Sequence, residues 1–411
     1  MRFLLIHQNF PGQFRQLVPF LSRRGHELRA ICSHRRPLPT ITNVTVLRYG
    51  EPPSPPGELP QGSRLWHEAL NRADAVARHC LELERQGWRP QAIAAHCGWG
   101  ETLALKTIWP DVPQILWPEI WMRPEHMGQG VDPELPPLRG DEALSQLGRN
   151  LLTQTALAMA SAWVLPTEHQ AGSFPGNLRH SKLHVIHEGI DAKTTAKPNP
   201  GVSFEVRGHR IDRSVPTLTL VNRQLERLRG FDTFMRALPA LQRQHPTLRV
   251  LIVGDNESGY GPGHPSGRPL KTVMLEELHG QLDLERIHFL GRIPHPHLIQ
   301  LLQASSVHVY LSYPFILGWS LLEAMACGCC IVGSEGPPVN EVIDHGREGL
   351  LVPQNNPAAL VQRVDQLLGN PQLRAQLGRA ARQRALLYDQ RLMLPQLTAL
   401  LERAGSDSAS P

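Results

Sequence analysis

Ser312-Tyr313-Pro314-Phe315-Ile316-Leu317-Gly318-Trp319-Ser320-Leu321-Leu322-Glu323-Ala324-Met325-Ala326-Cys327-Gly328 is the stretch that decides the fold. The run before it, Val307 to Leu311, is short and apolar, as expected of a strand buried on both faces. Gly318 marks a turn, and the apolar residues after it read as a buried helix that Gly328 ends. Strand, glycine turn and helix make the half-unit of a parallel crossover. The first amides of such a helix lack backbone acceptors and face the positive end of its dipole, which suits an anion. Glu323, about one turn in, is a carboxylate on an otherwise small and apolar helix. Burial makes it costly without donors, and either sugar hydroxyls or a structural arginine would supply them.

The same alternation extends in both directions. Downstream of residue 213, strands are expected at Thr217 to Val221, Leu248 to Val253, Ile287 to Leu290, Val307 to Leu311, Cys330 to Val332 and Gly349 to Val352. Helices separate them, and two long amphipathic helices follow, from Asn356 and from Pro371. Upstream, strands are expected at Arg2 to Ile6, Leu28 to Cys32, Gln91 to Ala95, Ile115 to Trp117, Ala162 to Leu165 and Leu183 to Ile186. The Pro-rich residues 33–61 read as a surface loop, and polar 192–212, with Pro198 and Pro200, as a linker. The class is therefore α/β, with two Rossmann-like parallel-sheet domains over 1–195 and 213–385. Residues 386–411 form a C-terminal helix and tail, whose return to the N-terminal domain stays open. Ligands of such sheets sit at the carboxyl ends of the strands, and two facing halves enclose a central cleft.

Composition narrows the function. At about 150 residues per domain, 411 residues suggest two or three domains. The formal charge of +5 is small and spread along the chain, so no dense basic run argues for nucleic acid. No apolar stretch reaches the roughly 18 residues of a membrane span. Phe3-Leu4-Leu5-Ile6 is cut short by His7-Gln8-Asn9, unlike a secretion signal. The six cysteines are spaced neither for zinc nor for disulfides and suit a reducing cytoplasm. No Asp-x-Asp occurs, so no metal site is expected, and the first turn lacks the G-x-G-x-x-G of dinucleotide oxidoreductases.

The stretch from Ser312 to Gly328 resembles glycosyltransferase family 4, the retaining GT-B enzymes, through Ser312, Gly318, Glu323-Ala324-Met325-Ala326 and Gly328. The likeness continues through Gly333-Ser334, Glu341-Val342-Ile343 and Gly349-Leu350-Leu351-Val352. Upstream, Leu220-Val221-Asn222-Arg223 and Arg229-Gly230-Phe231-Asp232 are similar to the family segment whose Arg and Lys bind the donor diphosphate. Here that implies Arg223 and Arg229, with Arg227 a rival because the spacing is one residue longer and Asn222 replaces a Gly. His288-Phe289-Leu290-Gly291 resembles the turn whose following residues, here Arg292 and Ile293, face the nucleobase. Ile252-Val253-Gly254-Asp255 is similar to another strand-end turn, where Gly254 would let the donor approach.

In the first half the resemblance assigns Gly12, in Asn9-Phe10-Pro11-Gly12-Gln13, to the donor phosphates and acceptor, and His96 to the transferred sugar. It implies that Arg223, Arg229 and His96 serve the reaction, and that Gly12, Arg292, Ile293, Gly318, Trp319, Ser320 and Glu323 bind donor, with Glu323 on the ribose. Phe315 departs from the family, which has a Glu there against the donor sugar. Glu101, Glu119 or Glu335 are candidate replacements, and Tyr313, Phe315 and Trp319 either pack on a sugar or belong to the core.

The implied activity is metal-independent transfer of a hexosyl group, with retention, from a nucleotide diphosphate sugar. No cofactor is expected. The acceptor is a glycan, a lipid-linked molecule or a small molecule, and no nucleic acid is involved. A cytoplasmic location follows, with Arg15, Arg23 and Arg24 leaving peripheral contact with the inner membrane face open. A catalytically silent sugar-nucleotide or glycan binder and a nucleotide-sugar epimerase are the alternatives.

Overall fold

The computed structural model describes residues 1–34, 41–51, 53, 55, 57–179, 182–257 and 259–407. The chain divides into two compact units. The first comprises Met1–Arg123, Pro137–Gly189 and Gln390–Pro411, and the second Pro124–Pro136 and Ile190–Asp389.

The first unit is built on seven parallel strands: β1 (Arg2–Ile6), β2 (Glu27–Ser33), β3 (Val44–Tyr49), β4 (Ala92–His96), β5 (Gln114–Trp117), β6 (Ala162–Leu165) and β7 (Leu183–Val185). Their order is β3-β2-β1-β4-β5-β6-β7. Strands β1 and β4 are apolar over nearly their whole length because helices cover both faces of the sheet. Two apolar clusters form, one containing Leu4, Ile93, Leu116 and Trp163, the other Phe3, Leu5, Ile115 and Val164. Their members alternate along each strand, as the pleat requires.

In the second unit, β8 (Ser203–Val206) and β9 (His209–Asp212) form an antiparallel hairpin. Six parallel strands then make the main sheet: β10 (Thr217–Gln224), β11 (Arg249–Asp255), β12 (Ile287–Phe289), β13 (Val307–Tyr310), β14 (Ile331–Ser334) and β15 (Gly349–Val352). The order is β12-β11-β10-β13-β14-β15. In both sheets the strand that comes first in the chain lies inside, and the strand order reverses beside it, the topology of the Rossmann fold.

Three expectations need correction. The stretch read as a surface loop holds β3, which pairs with β2 from Leu28–Val44 to Ser33–Tyr49. Its Pro-rich surroundings hid the alternation, and residues 35–40, 52, 54 and 56 of that loop lie outside the described residues. The linker assigned to 192–212 contains the β8–β9 hairpin, closed by Arg207 and Gly208 in left-handed conformations. Finally, Pro124–Pro136 was expected in the N-terminal domain but belongs to the second unit. It is held there by ion pairs of Asp132 and Glu134 with Arg227, and by a hydrogen bond from Tyr313 Oη to Asp132.

The last helix, Gln390–Asp407, belongs to the first unit and covers its sheet with Leu394, Leu397 and Leu401. Gly405 is part of that helix and packs against Met1 and Gln91 rather than fraying; 408–411 lie outside the described residues. Among the described residues no helix is long and apolar enough to cross a membrane.

Candidate functional site

In the second unit the site grows from the carboxyl end of β10. A 3-10 turn, Arg227–Arg229, leads into Gly230, whose φ of 64° starts the helix Phe231–Gln244. A Cβ at Gly230 would run into the Leu311 side chain, so both conformation and space require glycine there. That turn separates the fates of the two candidate arginines. The Arg227 side chain is 10% exposed and pairs with Glu134 (2.9 Å), Asp232 (3.3 Å) and Asp132 (3.5 Å). Its role is to hold the Pro124–Pro136 segment.

Arg229 points the other way. Its Nη1 donates to Ser312 Oγ (2.9 Å), the Ile316 carbonyl (3.0 Å) and Tyr310 Oη (3.1 Å), and its guanidinium lies 5.5 Å from the Phe315 ring centre. Gly318 N donates to the same Tyr310 oxygen at 2.8 Å. Tyr310 therefore ties the guanidinium to the start of the helix Trp319–Ala326. Gly318 caps that helix without any side-chain acceptor, and half-buried Trp319 and Ser320 form its first turn. One guanidinium nitrogen is committed to the protein, while Nε and Nη2 have no hydrogen-bond partner among the described residues.

Arg223, exposed at the end of β10, donates from Nη1 to Tyr260 Oη (3.4 Å) with its guanidinium 5.8 Å from that ring. Tyr260 in turn meets Phe315 at 5.8 Å between centroids. Arg223, Tyr260, Phe315 and Arg229 thus form an unbroken series of contacts. Phe315 is 2% exposed, as is Tyr313, so these two rings are core, whereas Trp319 is half-buried.

Other expected positions have partners the sequence did not reveal. Glu323 is buried and accepts from His295 Nε2 at 2.6 Å, so its carboxylate already has a donor. Arg292 is half exposed and pairs with Asp255 (2.5 Å), while Ile293 packs on the core. Gly254 leaves room for Leu225 and the Asn222 carbonyl rather than for a ligand, since a Cβ there would lie 2.8 Å from Leu225 Cδ2. Glu335 is exposed beyond β14.

The first unit brings a second group together at the ends of β1, β4 and β5. Gly12, with φ of 48°, lies flat against the His7 ring, leaving no space for a Cβ. His7 Nδ1 accepts from Asn9 N (3.0 Å), and its ring lies 5.2 Å from that of His96. His96 Nε2 is 3.6 Å from a carboxylate oxygen of Glu119, which also accepts from Gln13 Nε2 (3.2 Å). Burial alone would lower the His96 pKa, but the Glu119 carboxylate, with Glu101 behind it, holds it above its usual value. Glu119 has φ of 62°, an uncommon conformation for a side-chain-bearing residue. Glu101 is 1% exposed, its pKa raised by burial; Oε1 accepts from Tyr49 Oη (2.9 Å), so it is a core group. Among the described residues no three His, Cys, Asp or Glu side chains gather as a metal site.

Sequence reasoning missed Tyr310, Tyr260, His295 and His7. Tyr310 closes an ordinary strand pattern and His7 follows one, so neither carried a signal. Tyr260 lies in a Gly/Pro-rich loop that suggested only a turn.

Residues 24–195 match the family model described as glycosyl transferase family 4 group, and residues 206–384 match glycosyl transferases group 1. The chain belongs to the glycosyltransferase family 4 group. Among curated relatives of this family 4 protein, a D-inositol 3-phosphate glycosyltransferase of Frankia alni is 29% identical over 58% of this chain and 58% of its own. One of Kribbella flavida is 28% identical over 49% of this chain and 46% of its own. The chain spans about half the length of the curated relatives it matches. Sucrose-phosphate synthase of Thermosynechococcus elongatus shares the fold with a TM-score of 0.75 at 17% identity, over 99% of this chain and 100% of that one. Anabaena HepE in complex with UDP and glucose does so with 0.68 at 17%, over 98% and 100%. The fold of this family 4 protein is GT-B.

Proposed function

We propose that the protein transfers a hexosyl group from a nucleotide diphosphate sugar to a glycan, lipid-linked or small-molecule acceptor, with retention and without a metal. The observation that carries this reading is the Arg229 guanidinium, clamped through one nitrogen to Tyr310, Ser312 and Ile316 at an uncapped helix start. A cation held rigid before the ligand arrives costs no reorganisation when charge develops on a departing diphosphate. Arg223 and the Trp319 and Ser320 end of the helix add to the same positive field. Glu323 takes the donor ribose beside His295. His96, held beside Glu119, serves the transferred sugar. Retention then proceeds by front-face attack, a donor phosphate oxygen taking the acceptor proton as the bond from the sugar to the diphosphate breaks.

Donor consumption decides the matter. The protein is incubated with UDP-, GDP- and ADP-sugars, with and without acceptors and with a chelator; UDP comes first because HepE forms complexes with UDP and UDP-glucose. Turnover unaffected by the chelator, with the anomeric configuration of the donor kept in the product, is expected. Phe315 in place of a Glu favours a second reading, a sugar-nucleotide binder without turnover. Tight donor binding with neither transfer nor slow hydrolysis would select it.

A further inference from the structure

The loop after β11 carries four glycines and three prolines, and part of it is built around one buried carboxylate. Glu226 is 9% exposed, and its Oε2 accepts from Gly261 N at 2.9 Å. Burial pushes its pKa up, and the Gly261 amide, the Arg229 guanidinium, the Tyr260 amide and the Arg223 guanidinium oppose the shift. A Cβ at Gly259 would fall on the Glu226 carboxylate, and one at Gly261 would lie 3.0 Å from Leu228 Cβ. The backbone at 259 and 261 is therefore pressed onto Glu226 and the 3-10 turn that carries Arg229. Tyr260, between those glycines, is the exposed residue of the turn, 38% accessible. Its ring is sandwiched in sequence of contact between Phe315 and the Arg223 guanidinium.

A long arginine on a strand end loses rotamer entropy when it meets a phosphate. An aromatic face held in place removes part of that loss in advance. We propose that Tyr260 is a donor-site positioning residue, fixed by the Glu226-centred turn against Phe315, which holds the Arg223 guanidinium ready for the β-phosphate of the donor. This rests on the diphosphate reading of the site and extends it to a loop outside the motifs of the chain. Tyr260 acts through Arg223, so it affects a diphosphate more than a monophosphate.

The test is a calorimetric comparison of UDP, GDP and ADP with the corresponding monophosphates, on the full chain and on Tyr260→Ala, Tyr260→Phe, Arg223→Ala and Arg229→Ala. For the base that binds best, Tyr260→Ala should lower the diphosphate-over-monophosphate affinity ratio by about 2- to 5-fold, the span of an exposed cation–π contact. Tyr260→Phe keeps the ring and should keep the ratio at that of the parent. Arg223→Ala should lower it further than Tyr260→Ala does, and adding Tyr260→Ala to Arg223→Ala should change little. A ratio that falls in Arg223→Ala but is unchanged in Tyr260→Ala overturns the role of Tyr260 and leaves the diphosphate site standing. A ratio unchanged in both Arg223→Ala and Arg229→Ala overturns the diphosphate site itself.

Discussion

Arg227 and Arg229 are two residues apart, yet alanine at each should damage different properties. Arg227→Ala removes the cation shared by Asp132, Glu134 and Asp232, of which Asp132 and Asp232 are nearly buried. Leaving a buried charge unpaired costs about 3–5 kcal/mol. Arg236 still stands 4.0 Å from Asp232 and keeps its pairs with Glu134 and Glu277, so the lower figure applies. For units of this size about 3 kcal/mol corresponds to roughly 6–12 °C of melting temperature. Diphosphate affinity should stay near that of the parent.

Arg229→Ala releases three neutral acceptors that keep other partners or reach water. Tyr310 Oη retains Gly318 N, and Ser312 Oγ still donates to the Tyr313 carbonyl (2.8 Å). The stability loss should be about 1.5–3 kcal/mol, the value for hydrogen bonds to a charged group. What disappears is a preorganised cation, worth about 10²–10³-fold in turnover by comparison with removal of one charge-stabilising donor. Heat unfolding, calorimetry with a nucleoside diphosphate and donor consumption read the three quantities separately. If Arg227→Ala melts like the parent and loses the diphosphate, or Arg229→Ala keeps both binding and turnover, the division of labour inferred from the 3-10 turn is wrong.

Gly12→Ala forces a side chain into a left-handed backbone, at about 1–2 kcal/mol, and onto the His7 ring, at about 1–3 kcal/mol more; a melting temperature equal to the parent's would show that His7 is not packed as described. His308 is fully buried and its pKa is lowered by burial to about 3, with Nδ1 bonded to Thr219 Oγ1 at 2.9 Å. The unfolded chain takes up a proton near pH 6.5 that the folded chain refuses, so stability should fall as pH drops from about 6.5 towards 3. His308→Leu should flatten that slope by one proton, as read by chemical denaturation across the window; an unchanged slope refutes the assignment. Glu323→Ala should weaken donor binding by about 10-fold, the loss of one charged hydrogen bond, and His295→Ala, which leaves the carboxylate, by less. Unchanged donor affinity in Glu323→Ala would restrict Glu323 to its pair with His295.

The order of strands and helices was legible because buried parallel strands must be continuously apolar and their turns must end in glycine or proline. Val307–Tyr310 and Gly318 show this most plainly. β3 was not legible, since Val44–Tyr49 is an edge strand, half exposed, between prolines. At the site, the residues fixed by backbone requirements were readable: Gly230 needs its left-handed turn, and Arg229 precedes it. The partners of those residues were not. Nothing in sequence spacing says that Tyr310 Oη takes two donors or that His295, 28 positions away, reaches Glu323. Such contacts depend on where separate crossovers end in space.

The replacement of a Glu by Phe315 changes the electrostatics of the site more than its shape. A carboxylate about 4 Å from a guanidinium interacts by roughly 4 kcal/mol at an effective dielectric of 20. Placed where Phe315 lies, between Arg229 and the Tyr260 that carries Arg223, it would compete with any anionic ligand for both cations. With Phe315 buried, the guanidiniums face aromatic rings, which attract them without neutralising them. A diphosphate would then meet two cations, offset by the buried Glu226 carboxylate that also faces them, and a helix end. On the proposed reading, the same difference removes one acceptor for sugar hydroxyls and leaves both cations to the leaving group. A donor survey should therefore find the protein stringent towards the diphosphate and permissive towards the sugar. Sharp discrimination between epimeric sugars on one nucleotide would show that another polar group has taken the place of the missing carboxylate.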